Sequence, residues 1–355
     1  MSRRSDLPRG VVLALTAAVL FGASAPFAKL LLAGATPQLL AGLLYLGSGT
    51  GLAIVWLARR GASKETPLTR RDLPWLAGAI TFGGVLAPLL LMTGLGRTPA
   101  SSASLLLNLE GVFTALLAWF VFRENFDRRI ALGMVSILAG GAVLSWAGRA
   151  ELGGLAGPLL VAAATLCWGI DNNLTQKVSA GDPVQTAMLK GLVAGSVNTA
   201  VALASGAGWP SVSRVAAAVV LGFLSYGVSL VLFVLALRHL GTARTGAYFS
   251  TAPFVGALAS LVIFRERPTL AFAAATLLMA VGVWLHVSER HEHEHVHEAM
   301  DHAHRHVHDE HHRHAHGPDD PPVTDPVPHA HAHHHEALLH THPHYPDIHH
   351  RHGHG

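Results

Sequence analysis

Charge is scarce in this 355-residue chain: Asp, Glu, Lys and Arg make up 13% of it, against 50% hydrophobic residues. Cysteine is nearly absent. Cys167 alone excludes an intramolecular disulfide and says little about compartment. No nucleotide-binding glycine loop, nucleophile elbow or metalloprotease helix occurs, so the chain does not read as an enzyme, and no cofactor is required. A basic patch is missing as well. The excess cations are spread over loops, which argues against a nucleic-acid partner and for a lipid bilayer.

The charge that is present is unevenly placed. Residues 1–290 hold 22 Lys/Arg against 11 Asp/Glu, whereas residues 291–355 hold 3 Arg against 11 Asp/Glu, a balance of −8 with histidine neutral. The sequence pI of about 9.3 therefore describes neither part.

What the first part has in abundance is apolar runs of membrane-spanning length, roughly 20 residues for a bilayer core of about 30 Å. Ten spans are expected near 11–32, 38–58, 73–95, 99–122, 129–147, 156–177, 184–205, 214–237, 242–264 and 268–287. Pro26, Pro88 and Pro253 fall inside them, which lipid-embedded helices tolerate. Arg3-Arg4, the apolar run and Ala23-Ser24-Ala25 resemble a cleavable signal peptide. Pro26 directly after the cut site disfavours cleavage, and the segment has a counterpart in span six.

The ten spans divide into two halves of five with shared punctuation. Span four runs out in Phe122-Arg123-Glu124 and span nine in Phe264-Arg265-Glu266, an offset of 142 residues. Leu20-Phe21-Gly22 of span one meets Cys167-Trp168-Gly169 of span six at an offset of 147. An odd number of spans per half makes the second half insert upside down, an architecture common in secondary transporters. Loop cations set the orientation. With a cytoplasmic N-terminus, that side receives Arg3, Arg4, Arg9, Arg59, Arg60, Lys64, Arg70, Arg71, Arg123, Arg128 and Arg129, and the far side only Arg97 and Arg149. The second half is less one-sided. Both termini are expected in the cytoplasm. The pattern suits a bacterial inner (plasma) membrane, which is the expectation taken here, and a eukaryotic membrane equally.

These features resemble the drug/metabolite transporter superfamily, in particular its EamA-type ten-helix carriers, over about residues 10–288. The residues that carry the resemblance are the Phe-Gly and Trp-Gly of spans one and six, the small-residue starts Thr98-Pro99-Ala100-Ser101-Ser102-Ala103 and Gly241-Thr242-Ala243-Arg244-Thr245-Gly246-Ala247, and the Arg-Glu after spans four and nine. Each motif is weak alone; their recurrence in order, twice, is specific. The resemblance implies alternating-access transport of small solutes and cytosolic termini, without naming a substrate. One departure is Glu110, where related chains usually carry an uncharged residue or proline. Pro253 sits near the equivalent place in span nine.

Ionisable groups within a bilayer ask for a reason, since each costs from about 2.5 kcal/mol upwards at a helix centre. Glu110 sits mid-span in span four, Asp171 past the middle of span six beside Asn172, and Lys190 two turns into span seven. Ser104, Asn108, Gly111, Ala115 and Ala118 form a small-residue face on span four, with Glu110 and Thr114 on the adjoining stripe. Trp168, Asp171 and Thr175 share a face of span six; Lys190, Ala194 and Asn198 share one of span seven. Glu110, Asp171, Asn172, Asn108, Lys190 and Trp168 are thus the candidate substrate or coupling residues. Burial disfavours a charged carboxylate and a nearby cation favours it. A group balanced between the two can exchange a proton for a cationic substrate. The competing reading is a buried acid–Lys190 pair that fixes helix register. Arg244 reads as an interfacial anchor, Trp168 as helix packing rather than substrate stacking, and the two Arg-Glu pairs as helix-end charges.

Of the 65 residues from His291 to Gly355, 24 are histidine. Large apolar residues are few and proline recurs, so this tail is expected to be disordered. The alternating His291, His293, His295 and His297, then His302, His304, His306 and His308, can supply imidazole ligands to Zn²⁺, Ni²⁺, Co²⁺ or Cu²⁺. Interleaved acids and varied spacing argue against a purification tag.

The expectation is an all-α integral membrane protein of ten transmembrane helices in two inverted five-helix repeats, 1–147 and 148–290, with a disordered tail over 291–355. Function is expected to be secondary transport, as an exporter driven by proton exchange, of a small molecule or a divalent transition metal, with a metal-binding cytoplasmic tail. Two alternatives stand beside it: a metabolite or drug exporter with a regulatory tail, and a membrane-tethered metal buffer or sensor. Assembly is open, a homodimer being one arrangement.

Overall fold

The computed structural model describes residues 3–59, 68–122, 128–151, 155–176, 178, 182–240, 245, 248–287, 291–297, 300–306, 329–335 and 338–344. Through residue 287 the described segments are helical with short connections, as the apolar runs predict. Span one is Arg3–Gly22 followed by Ser24–Leu32, span two Pro37–Ala58 and span three Leu73–Leu95. Span four comprises Ala100–Leu106 and Leu109–Phe122, span five Arg128–Glu151 and span six Ala156–Gln176. Span seven is Pro183–Ala204, and span eight runs from Val212 through a π-helical turn to Leu240. Ala252–Phe264 lies in span nine and Leu270–Val287 forms span ten. Six helices among the described residues are long and apolar enough to cross a membrane, and 131–146, 252–264 and 270–285 are shorter apolar helices.

Large apolar side chains point outward along these helices. Ile54, Val135, Val262, Leu277 and Trp284 are each more than 60% exposed, the face a bilayer would cover. Inside, Leu39, Leu40, Leu44, Leu91, Met92, Leu105, Leu106, Ile137 and Met279 are sealed from solvent.

Packing between the halves has an exchange symmetry. Span two lies along span seven, and span five along span ten. Span one packs on spans eight and nine, while span six packs on spans three and four. Each contact therefore recurs with the halves' roles swapped. Small residues permit the close approaches. A Cβ on Gly22 of span one would sit 2.2 Å from the Ala252 carbonyl oxygen of span nine.

Four features depart from plain spans. Span one is interrupted at Ala23, and span four turns at Leu107–Asn108. Spans three and eight each contain a π-helical segment, Ile80–Leu86 and Phe223–Val228, at corresponding places in the two halves. Hydropathy shows none of these, because a run stays apolar whether its turns hold 3.6 residues or more.

In the tail, His291–His297 pairs antiparallel with Leu338–His344, and Met300–His306 with His329–His335. Two-stranded ladders of this kind are marginal alone in water.

Candidate functional site

Asp171 and Lys190 form the centre. Two turns into span seven, Lys190 extends Nζ to both carboxylate oxygens of Asp171, at 2.6 and 2.7 Å, and to Thr175 Oγ1 at 3.2 Å. Thr175 also donates to Asp171 Oδ1 at 2.8 Å, one helical turn away on span six. Both charged side chains are largely buried, 16% and 8% exposed. Asp171 can seat there because span three offers Gly83 opposite it: a Cβ at that position would lie 1.8 Å from Asp171 Oδ2.

Gly83 belongs to the π-helical turn of span three, and its carbonyl receives two side-chain hydrogen bonds. Tyr45 of span two donates its hydroxyl at 2.8 Å, and Trp168 of span six donates Nε1 at 3.0 Å. Asn198 Nδ2 approaches the Gly84 and Val85 carbonyls of the same turn, each at 3.3 Å. A π-helical turn weakens the backbone ladder and frees carbonyls for such partners. Spacing predicts that Trp168, Asp171 and Thr175 share one face and Lys190, Ala194 and Asn198 another; the structure brings Trp168, Asp171, Ala194 and Asn198 of these stripes against this turn. Tyr45 in turn packs on Tyr226 of span eight, ring centroids 5.5 Å apart, and Tyr226 on Phe21 of span one at 6.0 Å.

Glu110 stands beside this cluster in a different condition. Its Oε1 accepts from Asn172 Nδ2 at 2.8 Å, and the same amide reaches Thr114 Oγ1 at 3.2 Å. Glu110 is half-buried and Asn172 exposed, so both keep accessible surface. Glu110 lies near enough to Asp171 and Lys190 to interact electrostatically with both. Asp171–Lys190 is the ion pair described in this region, so Glu110 has a neutral amide rather than a cation as its hydrogen-bond partner.

The structure brings Glu110, Asn172, Asp171, Lys190 and Trp168 together; Asn108 points elsewhere. Its amide donates to the Leu105 carbonyl at 2.9 Å and faces Met279 of span ten. Nor does Gly111 serve close packing, since nothing lies within 4 Å of a Cβ built there. The turn at Leu107–Asn108 shifts the helical phase, so Ser104 and Asn108 do not continue into Gly111 as one stripe. Tyr45, Tyr226 and Gly83 were not singled out by sequence, whereas Thr114 was placed on one stripe with Glu110. A tyrosine within an apolar run, as in Leu43-Leu44-Tyr45-Leu46, is the signal that marks the first two.

Among the described residues, no group of three or more His, Cys, Asp or Glu side chains is placed to hold a metal ion. His291, His293, His295, His297, His302, His304 and His306 lie on the extended tail segments. His308, Arg244, Arg123 and Glu124 lie outside the described residues.

The described apolar helices, holding an ion pair and a second, accessible carboxylate among them, are those of an integral membrane protein. The sequence matches the EamA-like transporter family at residues 8–146 and again at 155–288, and the chain belongs to that family. It is 29% identical over 293 residues to an "Uncharacterized transporter" of Methanothermobacter thermautotrophicus, covering 78% of this chain and 85% of that protein. One protein solved by crystallography shares the fold at a TM-score of 0.58 and 21% identity, over 78% of this chain and 95% of its own.

Proposed function

We propose that the protein is a proton-coupled secondary exporter of a small organic cation, with Glu110 as the coupling carboxylate. The observation that carries this reading is the inequality of the two acids. Asp171 is neutralised by Lys190, whereas among the described residues Glu110 accepts its side-chain hydrogen bond from the Asn172 amide and keeps accessible surface. A carboxylate in an apolar bundle with no cation of its own is stabilised by whatever neutralises it. A proton and a cationic solute compete for that role, and competition for one group is exchange. The Asp171–Lys190 pair organises the site, holding span six against spans three and seven. A single carboxylate flanked by an amide and a hydroxyl suits an organic ammonium better than a transition metal, which favours imidazole or thiolate.

A proteoliposome assay tests this. Internal pH is followed while a panel of organic ammonium ions, and separately Zn²⁺, Co²⁺ and Ni²⁺, is added. Wild type is expected to move protons when an ammonium ion of the panel is present, and Glu110→Gln to lose that movement entirely. Undiminished coupled flux in Glu110→Gln would remove Glu110 from the role, and flux with the metals alone would make the cargo a metal.

A second reading concerns the tail, and 24 histidines in 65 residues favour it. On this reading the tail binds transition metal at the cytoplasmic side, an orientation the loop cations favour, and tunes transport rather than supplying the cargo.

A further inference from the structure

The charged cluster at the π-helical turn of span three has a counterpart in the other half, and the counterpart is neutral. Spans six and seven pack on the turn Ile80–Leu86, and spans one and two pack in the same way on the turn Phe223–Val228. At offsets of 142 to 147 residues, Asp171 corresponds to Ser24, Lys190 to Ser48, Trp168 to Phe21 and Gly83 to Gly227. The contacts follow these correspondences. Tyr226 of the second turn brings its hydroxyl to Ser24, and a Cβ on Gly227 would lie 3.4 Å from Ser48 Oγ. Both serines are buried. Where one half holds an ion pair, the other holds two hydroxyls.

Aromatic rings surround the neutral turn. Phe21 stands edge-on to Tyr226 at 6.0 Å and tilted against Phe249 of span nine at 5.4 Å, and Phe249 meets Phe233 of span eight at 4.8 Å. Tyr45 joins the two half-sites. Its ring lies 5.5 Å from that of Tyr226, while its hydroxyl donates to the Gly83 carbonyl and interacts electrostatically with Asp171 and Glu110. Tyr45 is buried, as a ring that only packs should be. Phe21, Tyr226 and Phe249 keep accessible surface, although Ser24, Ser225 and Gly227 beside them are buried. The face of a ring attracts a cation or the positive edge of another ring, beyond what the covered area supplies. An open, uncharged aromatic wall thus continues from the accessible Glu110 carboxylate into the other half of the chain.

We propose that the cargo is bipartite: its ammonium group goes to Glu110, and an aromatic body joined to it lies against Tyr226, Phe21 and Phe249. The neutral half-site then sets specificity, and the charged one sets the requirement for a cation. The proposal deepens the organic-cation reading and rests on it. An all-alkyl ammonium of the same size satisfies Glu110 equally and forfeits the ring contacts.

Calorimetric titration of the full chain in detergent micelles tests this with two permanently charged ions of like size, benzyltrimethylammonium and cyclohexylmethyltrimethylammonium. Wild type is expected to bind the ring-bearing ion about tenfold more tightly. Tyr226→Leu and Phe21→Leu are expected to erase that ratio, and Tyr226→Phe, which restores a ring, to keep it. A merely structural role for Tyr226 would instead weaken both ions together. Glu110→Gln is expected to weaken both alike and leave the ratio unchanged. If Tyr226→Leu is not monodisperse, Phe249→Leu at the edge of the cluster provides the same comparison. Equal affinities in wild type, binding of neither ion, or a ratio that survives the leucine substitutions would overturn the proposal. A ratio erased by those substitutions, with both affinities untouched in Glu110→Gln, would sustain the aromatic half-site and overturn the role of Glu110 alone.

Discussion

Asp171 and Lys190 differ from Glu110 in what a substitution leaves behind. Removing one member of a buried ion pair strands the other charge, at a cost of about 3–5 kcal/mol. Asp171→Asn and Lys190→Met are each expected to lower the thermal unfolding midpoint in detergent markedly. The double substitution is expected to recover most of the loss, because no unpaired charge remains. Additive losses would show that the two residues act independently despite their contact. At this scale the sequence was informative where helical phase ran unbroken. Trp168, Asp171 and Thr175, spaced along one continuous helix, share a face as predicted, and the structure turns Trp168 toward span three and Thr175 onto Asp171. Asn108 and Gly111 do not share a face, because the turn between Leu106 and Leu109 intervenes and apolar residues on both sides hide it. That Glu110 and Asp171 lie in one cluster was not legible either, since register between helices is set by packing and not by either helix's own spacing.

Spans two and seven show what holds the elements together in the absence of a hydrophobic drive between lipid-embedded helices. Their backbones touch through glycines: a Cβ on Gly191 would lie 2.6 Å from the Gly49 nitrogen and 2.9 Å from the Tyr45 carbonyl oxygen. Those atoms are backbone and cannot rotate aside, so the helices must separate. Gly191→Ala is expected to destabilise the protein by about 1–3 kcal/mol, and to loosen Tyr45 from the Gly83 carbonyl. Gly111→Ala is the matched control. With nothing within 4 Å it is expected to be neutral or to stabilise by up to about 1 kcal/mol through helix propensity. Equal effects of the two substitutions on the unfolding midpoint would refute the close-contact argument. The ten spans were legible because each is a long apolar run. Their interior irregularities were not, yet these carry the site. The π-helical turn of span three presents the carbonyls that Tyr45, Trp168 and Asn198 use.

Over the whole molecule, the transport core and the tail answer to different chemistry. Among the described residues, the main apolar cluster is built from residues between Ala28 and Met279. A chain ending at Arg290 is therefore expected to keep its fold, its unfolding midpoint and its coupled flux. What it is expected to lose is metal binding. Calorimetric titration with Zn²⁺ or Ni²⁺ at pH 7.5 should give several equivalents for the full chain and none for the truncated one. Imidazole binds metal only when neutral, and histidine takes up its proton below about pH 6.5. At pH 5.5 the full chain should release its metal. The same protonation moves the tail's charge from −8 toward +16, so the full chain's tail should then associate with anionic vesicles and not with neutral ones. Retained metal binding in the truncated chain would place the ligands in the bundle and favour a metal as the cargo. Abolished flux on truncation, with folding intact, would make the tail part of the transport path itself. The punctuation that marks two halves in the sequence is matched by contacts that recur with the halves' roles swapped, span one on spans eight and nine, span six on spans three and four.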